Sequence, residues 1–132
     1  MDILNQVSEL NLPLGKYAIF GSGPMAIHGI RDSQDIDLIV ISSLYDDLRL
    51  SGLQEEGNGG NRHLVKGNIE IFDKWDFENY HPNPEQLINE AEIINGVAVI
   101  QLSEVIKWKN AFGRDKDLAD VKLIQNYLLT KK

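Results

Sequence analysis

The sequence contains no cysteine among its 132 residues, which excludes disulfide bonds, thiol nucleophiles and thiolate metal ligands. No apolar run approaches the ~20 residues that a membrane-spanning helix needs. The first residues, Met-Asp-Ile-Leu-Asn-Gln, lack the basic start and apolar core of a secretory signal. We therefore expect a cytoplasmic protein without a membrane partner. The length, and the hydrophobic content of 42%, are typical of a single globular domain covering residues 1–132.

Basic residues are also scarce, and their distribution is uneven. The chain has 13 Lys and Arg against 20 Asp and Glu, which gives a net charge of −7. This balance argues against an extended nucleic-acid interface, since affinity for phosphate backbones comes mainly from Lys and Arg. Residues 103–132, however, hold 7 Lys and Arg against 4 Asp and Glu. A locally basic segment on an acidic protein favours a small anion, such as a nucleotide.

The spacing of apolar residues predicts an α+β fold, in which a small mixed β-sheet is flanked by helices and followed by a helical C-terminus. We expect the core at about residues 17–101 and the C-terminal helical segment at about 103–130. The predicted helices cover residues 2–11, 24–30, 43–50, 84–92, 103–112 and 115–129. The predicted strands cover residues 17–20, 35–41, 62–66, 69–73 and 97–101. Residues 54–61 are polar and rich in glycine, and they predict a mobile loop.

Two aspartates open the second predicted strand. Because side chains alternate along a strand, Asp35 and Asp37 point the same way with Cα atoms roughly 6.5 Å apart. Such a pair repels itself unless a cation lies between the carboxylates or one stays protonated. Oxygen ligands of this kind favour Mg²⁺, which binds one or two carboxylates together with substrate phosphates. The structural alternative is that Asp35 closes a turn and Asp37 lies at an exposed edge.

A third acid occurs in a comparable setting. Glu70 lies between Ile69 and Ile71, in a strand that we expect beside Asp35 and Asp37. A site for two metal ions needs such a bridging set, because the ions lie about 3.5–4 Å apart. Asp73 is the competing candidate, but it falls at the end of the strand. The alternative for Glu70 is a surface position on the outer face of the hairpin around Gly67-Asn68.

The first strand leads into Gly21-Ser22-Gly23-Pro24, a turn followed by a short helix. A glycine turn before a helix presents free backbone N–H groups to a phosphate, and the Ser22 hydroxyl adds another donor. Alone, this feature is weak, because serine is also a common helix cap. Combined with the aspartate strand and the later acid strand, it predicts a phosphate-binding turn beside a metal-binding strand.

At these residues the sequence resembles the nucleotidyltransferase superfamily, which includes DNA polymerase beta and kanamycin nucleotidyltransferase. The matching motifs are Gly21-Ser22, Asp35-Ile36-Asp37-Leu38 and Ile69-Glu70-Ile71. The string from Arg31 to Asp37 is similar to the R-x-S-x-D-x-D form of small stand-alone members and of abortive-infection type toxins. Residues 108–120 are similar to the K…R-x-K-D-x-x-D segment that follows the core in many of those proteins. The resemblance covers about residues 17–126.

The resemblance implies transfer of a nucleoside monophosphate from a nucleoside triphosphate such as ATP to a hydroxyl, with release of pyrophosphate. It implies that Asp35, Asp37 and Glu70 hold two Mg²⁺ ions, or Mn²⁺ in their place, and that Glu70 helps to deprotonate the attacking hydroxyl. Gly21 and Ser22 would bind the β- and γ-phosphates. The family usually has Asp where this chain has Glu70, which leaves its metal role open. The acceptor is equally open between a protein, an RNA end and a small molecule.

Three cations of the C-terminal segment, Lys109, Arg114 and Lys116, are candidates for contact with the triphosphate. The alternative is exposed pairing with neighbouring acids, which contributes little to stability. For Arg31 we expect a structural ion pair, and for His63 an isolated side chain without a metal-ligand spacing.

Two other functions stay open. One is an antitoxin-like or regulatory module that keeps the fold and acts through a protein partner. The other is a metal-dependent phosphohydrolase.

Overall fold

The computed structural model describes residues 2–59 and 62–131. These residues form six helices and seven strands, listed here in chain order: α1 Ile3–Ser8, β1 Tyr17–Phe20, α2 Gly23–Ile27, β2 Ile36–Val40, α3 Ser42–Leu50, β3 Gln54–Glu56, β4 His63–Lys66, β5 Ile69–Phe72, α4 Pro84–Asn89, β6 Glu92–Ile94, β7 Val97–Val99, α5 Leu102–Phe112 and α6 Asp115–Thr130. All seven strands belong to one sheet in the order β3-β4-β5-β2-β1-β7-β6. This mixed sheet with a helical C-terminus confirms the predicted α+β class.

The centre of the sheet is made of strands that are buried along their length. All four residues of β1 are buried, and so is every residue of β2 except Asp37. Strands covered on both faces have nearly continuous apolar sequences rather than alternating ones, which explains the sequences Tyr-Ala-Ile-Phe and Ile-Asp-Leu-Ile-Val. Asp37 is therefore the one polar residue within an otherwise apolar strand pair.

The strand directions bring three chain segments together at the same end of neighbouring strands. Strand β1 runs antiparallel to β2 and parallel to β7, whereas β2 runs parallel to β5. The end of β1 therefore lies beside the start of β2 and the start of β5. The β4–β5 turn fixes this alignment, because the Asn68 carbonyl accepts from the Ile36 amide at 3.0 Å and the Asn68 side chain donates to the Gln34 carbonyl at 2.8 Å.

Several predicted boundaries were wrong. Helix α1 begins after the cap Asp2, whose carboxylate accepts from the Asn5 amide at 2.8 Å, and it ends at Ser8 rather than at residue 11. Part of the predicted 54–61 loop is strand β3, which pairs with β4. The end of that predicted loop, Gly60-Asn61, lies outside the described residues. Within the described residues, no helix is both long and apolar enough to cross a membrane.

The region between α4 and β7 also differs from the prediction. Helix α4 ends at Asn89, and Glu92–Ile94 forms strand β6 instead of continuing the helix. Strands β6 and β7 are joined by Asn95-Gly96, whose φ angles are 50° and 79°. Two consecutive positive φ angles are typical of the type I′ turn that joins tight hairpins. By contrast, the interruption predicted at Gly113 is present as a left-handed end of α5.

Candidate metal and nucleotide site

Asp37 and Glu70 lie side by side in the sheet. They are register partners in the parallel β2–β5 pair, so their side chains leave the same face. Asp35 lies just before β2 and is exposed to solvent. The parallel pairing of β2 with β5 therefore brings Asp37 and Glu70 together, and Asp35 is near enough for its charge to raise the pKa of Asp37.

The surroundings of Asp37 raise the pKa of its carboxyl to about 7, from an ordinary value of 3.8. Burial is the largest cause, because removal from water disfavours the charged form. The negative charges of Glu70 and then Asp35 raise the pKa further, whereas His63 lowers it. Phe20, directly across from Asp37 in β1, stacks on Trp75 with ring centroids 4.9 Å apart. The carboxylate thus lies among acids beside an aromatic cluster.

Gly21 places the turn directly against this carboxylate. Its φ is +63°, and a Cβ atom built on it would lie 2.3 Å from Oδ2 of Asp37. A side chain at this position would therefore displace the carboxylate, and the left-handed conformation adds its own cost for any other residue. Only glycine lets the backbone of the predicted phosphate turn lie this close to the predicted metal ligand.

Ser22 does not act as an ordinary helix cap. It occupies the N-cap position of α2, but its side chain makes no capping hydrogen bond. Instead its hydroxyl oxygen accepts from Nη2 of Arg31 at 2.9 Å. The capping alternative considered from the sequence is therefore wrong, and the hydroxyl stands in a polar contact beside the carboxylates.

His63 belongs to the site, contrary to the expectation of an isolated side chain. Its Nε2 lies 3.1 Å from Oε2 of Glu70, and its ring packs on Phe72 at 5.0 Å. The hairpin register explains the contact, since Val65 pairs with Glu70 and His63 lies two residues away on the same face. The two-residue turn Gly67-Asn68 predicts this contact, because it fixes which residues of β4 share a face with Glu70.

Asp73, the competing third acid, is directed elsewhere. It is buried and accepts from Nη2 of Arg62 at 2.6 Å. The same guanidinium lies over the Tyr45 ring at 4.5 Å. The structure therefore gives Asp73 a buried ion pair and leaves Glu70 as the acid beside Asp37.

The cations of the C-terminal segment are not gathered at the carboxylates. Lys109 is only 2% exposed, and its Nζ lies 2.9 Å from Asp120 and 3.8 Å from Asp117. Arg114 binds Asp117 through Nε at 2.7 Å at the start of α6, and Lys116 is exposed on the same helix. Contact of these cations with a nucleotide stays a prediction. Lys109 and Arg114 pair with acids in this structure, and Lys109 does so in the interior rather than on the surface.

The three acids fit Mg²⁺ in the chemistry of their donors. They supply hard carboxylate oxygens, and the charges of Glu70 and Asp35 add to the effect of burial in raising the pKa of the Asp37 carboxyl. Within residues 2–59 and 62–131, however, no group of three or more His, Asp or Glu side chains is arranged to hold a metal ion. The carboxylates would therefore have to draw together around the ion.

A cavity of about 450 Å³ lies between α4 and the start of α5, and it is lined by residues such as Tyr80, Gln86, Glu90, Gln101 and Glu104. It includes none of the acids or turn residues of the predicted site. Asp37 instead lies where the end of β1 and the turn at Gly21 meet the starts of β2 and β5.

These features together define a nucleotidyltransferase-like fold: a mixed sheet with a Gly-Ser turn and an acid pair on adjacent strands, followed by helices. A solved structure with this fold is the aminoglycoside nucleotidyltransferase ANT(2")-Ia in complex with adenylyl-2"-tobramycin. The match has a TM-score of 0.52 and 18% sequence identity, and it covers 96% of this chain and 86% of that chain. No protein-family model matches the sequence, and no curated protein matches it.

Proposed function

We propose that this protein is a Mg²⁺-dependent nucleotidyltransferase that moves a nucleoside monophosphate from a nucleoside triphosphate to a hydroxyl and releases pyrophosphate. The observation that carries the proposal is the contact between the Gly21 backbone and the Asp37 carboxylate, with Glu70 beside it. This close approach supports the proposal, because a phosphate bound at the turn would lie within reach of the hard carboxylate oxygens. The similarity in fold to an aminoglycoside nucleotidyltransferase supports the same class of reaction.

In the proposed reaction each residue has a role that follows from its position. Asp35 and Asp37 bind the metal, which when present neutralises phosphate charge. Ser22 and the turn backbone hold the outer phosphates. Glu70 accepts the proton of the attacking hydroxyl, whose oxygen forms a bond to the α-phosphorus while the bond to the bridging oxygen of the β-phosphate breaks. Pyrophosphate leaves with that oxygen. Positioning and charge neutralisation supply most of the catalysis in such a transfer.

The acceptor that we propose to test first is a small cationic polyol. Since the basic segment would serve the nucleotide, the acidic remainder of a chain with a net charge of −7 favours a cationic acceptor. The structure similar to this chain contains an adenylylated aminoglycoside, which is a small molecule of that kind. A protein hydroxyl and an RNA end follow as the other acceptors.

Transfer can be tested with nucleoside triphosphates labelled on the α-phosphate, incubated with Mg²⁺ and each acceptor. We expect label on an acceptor together with free pyrophosphate, and loss of both in Glu70→Gln. The matched control is Glu9→Gln, which neutralises an exposed acid outside the site. Release of orthophosphate without transfer would instead indicate a phosphohydrolase. Binding without turnover for any acceptor would favour the regulatory function.

A further inference from the structure

Arg31 connects the predicted phosphate turn to the C-terminal helices. Its Nε and Nη2 atoms donate to the two carboxylate oxygens of Asp120 on α6, each at 2.9 Å. Nη2 also donates to the Ser22 hydroxyl oxygen at 2.9 Å. A bidentate pair of this kind fixes the plane of the guanidinium as well as its position. One side chain therefore ties the turn to a helix that lies 89 residues further along the chain.

The carboxylate that holds Arg31 is itself fixed from the interior. Lys109 donates to Oδ2 of Asp120 at 2.9 Å, and the Lys109 side chain is 3% exposed. Asp117 lies 3.8 Å from the same ammonium group and is held by Arg114. These buried pairs leave Asp120 little freedom to move. Lys109, together with the Arg114–Asp117 pair, thus forms a support for the carboxylate that holds Arg31.

The contact with Arg31 determines what the Ser22 hydroxyl can do. A serine hydroxyl has one proton to donate and two lone pairs that accept. Because Arg31 donates to the oxygen, this bond does not use the hydroxyl proton, which remains available for an anion. A cationic donor on the oxygen also polarises the hydroxyl and strengthens the bond that it donates. The hydroxyl is thereby oriented as a donor to a phosphate oxygen.

We propose that Arg31 is a positioning residue that orients the Ser22 hydroxyl toward the phosphates of the substrate, and that Asp120 and Lys109 hold Arg31 for this purpose. The proposal rests on the proposed nucleotidyl transfer for the identity of the anion. In this proposal the Lys109–Asp120 pair supports the predicted phosphate turn through Arg31. A direct contact between Arg31 and a phosphate is the competing role.

The test uses Arg31→Lys, which keeps the charge but cannot make the bidentate pair and the third hydrogen bond at once. The matched control is Arg49→Lys on α3, since Arg49 is exposed and its Nη2 lies 4.0 Å from Asp46. The first measurement is hydrogen exchange across residues 21–27 of the full chain without nucleotide, a segment in which the Ala26 amide donates to the Ser22 carbonyl. We expect exchange to be about tenfold faster in Arg31→Lys and unchanged in the control. Unchanged exchange in Arg31→Lys would overturn the positioning role.

The second measurement is calorimetric binding of magnesium tripolyphosphate, a probe that has the phosphates without a base. We expect Arg31→Lys to weaken binding about tenfold in the natural chain, the usual effect of losing one charged hydrogen bond. In the Ser22→Ala background the same change should alter binding less than about twofold, because Arg31 acts through Ser22. Equal losses in both backgrounds would show that Arg31 contacts the anion itself and would overturn the proposal.

Asp120→Asn should reproduce both effects of Arg31→Lys while leaving Arg31 in place. Should that variant fail to fold, Arg31→Lys still decides the question, because the Arg31 side chain is 37% exposed and less critical to the core. If the natural chain binds neither magnesium tripolyphosphate nor a nucleoside triphosphate with Mg²⁺, the proposed function fails. In that case the exchange measurement alone decides whether Arg31 positions the turn.

Discussion

Neutralising Asp37 is expected to stabilise the folded chain at neutral and basic pH. Its folded pKa is about 7, against 3.8 for an ordinary aspartate. Between about pH 4 and pH 7 the folded state therefore binds more protons than the unfolded state, so stability falls as pH rises through this window and the loss is complete above pH 7. At 1.36 kcal/mol per pKa unit, the difference amounts to about 4 kcal/mol at most.

Asp37→Asn removes this titration and should exceed the natural chain in stability by about 2–4 kcal/mol at pH 8, because an amide is not penalised by burial and like charges in the same way. The two chains should converge toward pH 4. The assay is urea denaturation between pH 4 and 8 without divalent cations. The control is Asp46→Asn, which neutralises a side chain that is 54% exposed on α3.

Mg²⁺ at pH 8 should stabilise the natural chain and leave Asp37→Asn unchanged, because only the former binds the ion to its folded state. The reasoning is refuted if Asp37→Asn is no more stable than the natural chain at pH 8, or if the difference between them does not depend on pH. Either result would show that the carboxyl of Asp37 carries no unfavourable charge in the folded protein.

Three further predictions concern the supports of the site. Gly29→Ala should lower the free energy of unfolding by about 1–2 kcal/mol because of its positive φ alone. Gly21→Ala should lower it by roughly 1–3 kcal/mol more, because its Cβ would collide with Asp37. The difference between the two variants in thermal and urea unfolding measures the cost of the collision. Lys109→Met should cost about 1–3 kcal/mol, because it removes the interior hydrogen bond to the buried Asp120 carboxylate, which keeps its pair with Arg31. Lys107→Met, at a side chain that is 72% exposed, should change stability by less than about 0.5 kcal/mol. The two carboxylates beside Lys109 have a lowered pKa because, although burial raises it, hydrogen bonds and cationic charges outweigh burial. Their contribution is present above about pH 4 and lost as pH falls, so the difference between Lys109→Met and the natural chain should narrow in acid.

The local part of the site could be predicted from the sequence because strand alternation and turn chemistry are local rules. Strand alternation applies to Asp37 and Glu70, which are register partners, whereas Asp35 lies just before β2. The two-residue turn before Ile69 predicted the hairpin that carries Glu70, and the same turn contains the register that brings His63 to Glu70.

Strand β6 was missed although its sequence marks it. The dipeptide Asn95-Gly96, which is typical of a tight hairpin, lies between Ile94 and Val97. The helix predicted over residues 84–92 ends earlier, at Asn89, because Glu92–Ile94 pairs with β7 through this turn. Strand β3 is different, since its three residues are exposed and polar and show no alternation. Its pairing with β4 depends on the neighbouring strand rather than on its own sequence.

The contacts of Arg31 with Asp120 could not be predicted, because they join residues 89 positions apart through the packing of α6 near the turn. Charge patterns show only that acids and bases alternate in residues 114–120. Which partner each one takes depends on burial, and burial places Lys109 in an interior ion pair with Asp120.

The most direct test of the proposed site is calorimetry of a non-hydrolysable nucleoside triphosphate with and without Mg²⁺. The account predicts binding that requires Mg²⁺ and that is lost in the double variant Asp35→Asn/Asp37→Asn. The double variant Asp46→Asn/Asp47→Asn makes the same charge change on the exposed side of α3 and should bind like the natural chain. Absence of Mg²⁺-dependent binding at millimolar nucleotide, or equal binding by the Asp35→Asn/Asp37→Asn chain, would contradict the assignment of these carboxylates to a metal and nucleotide site.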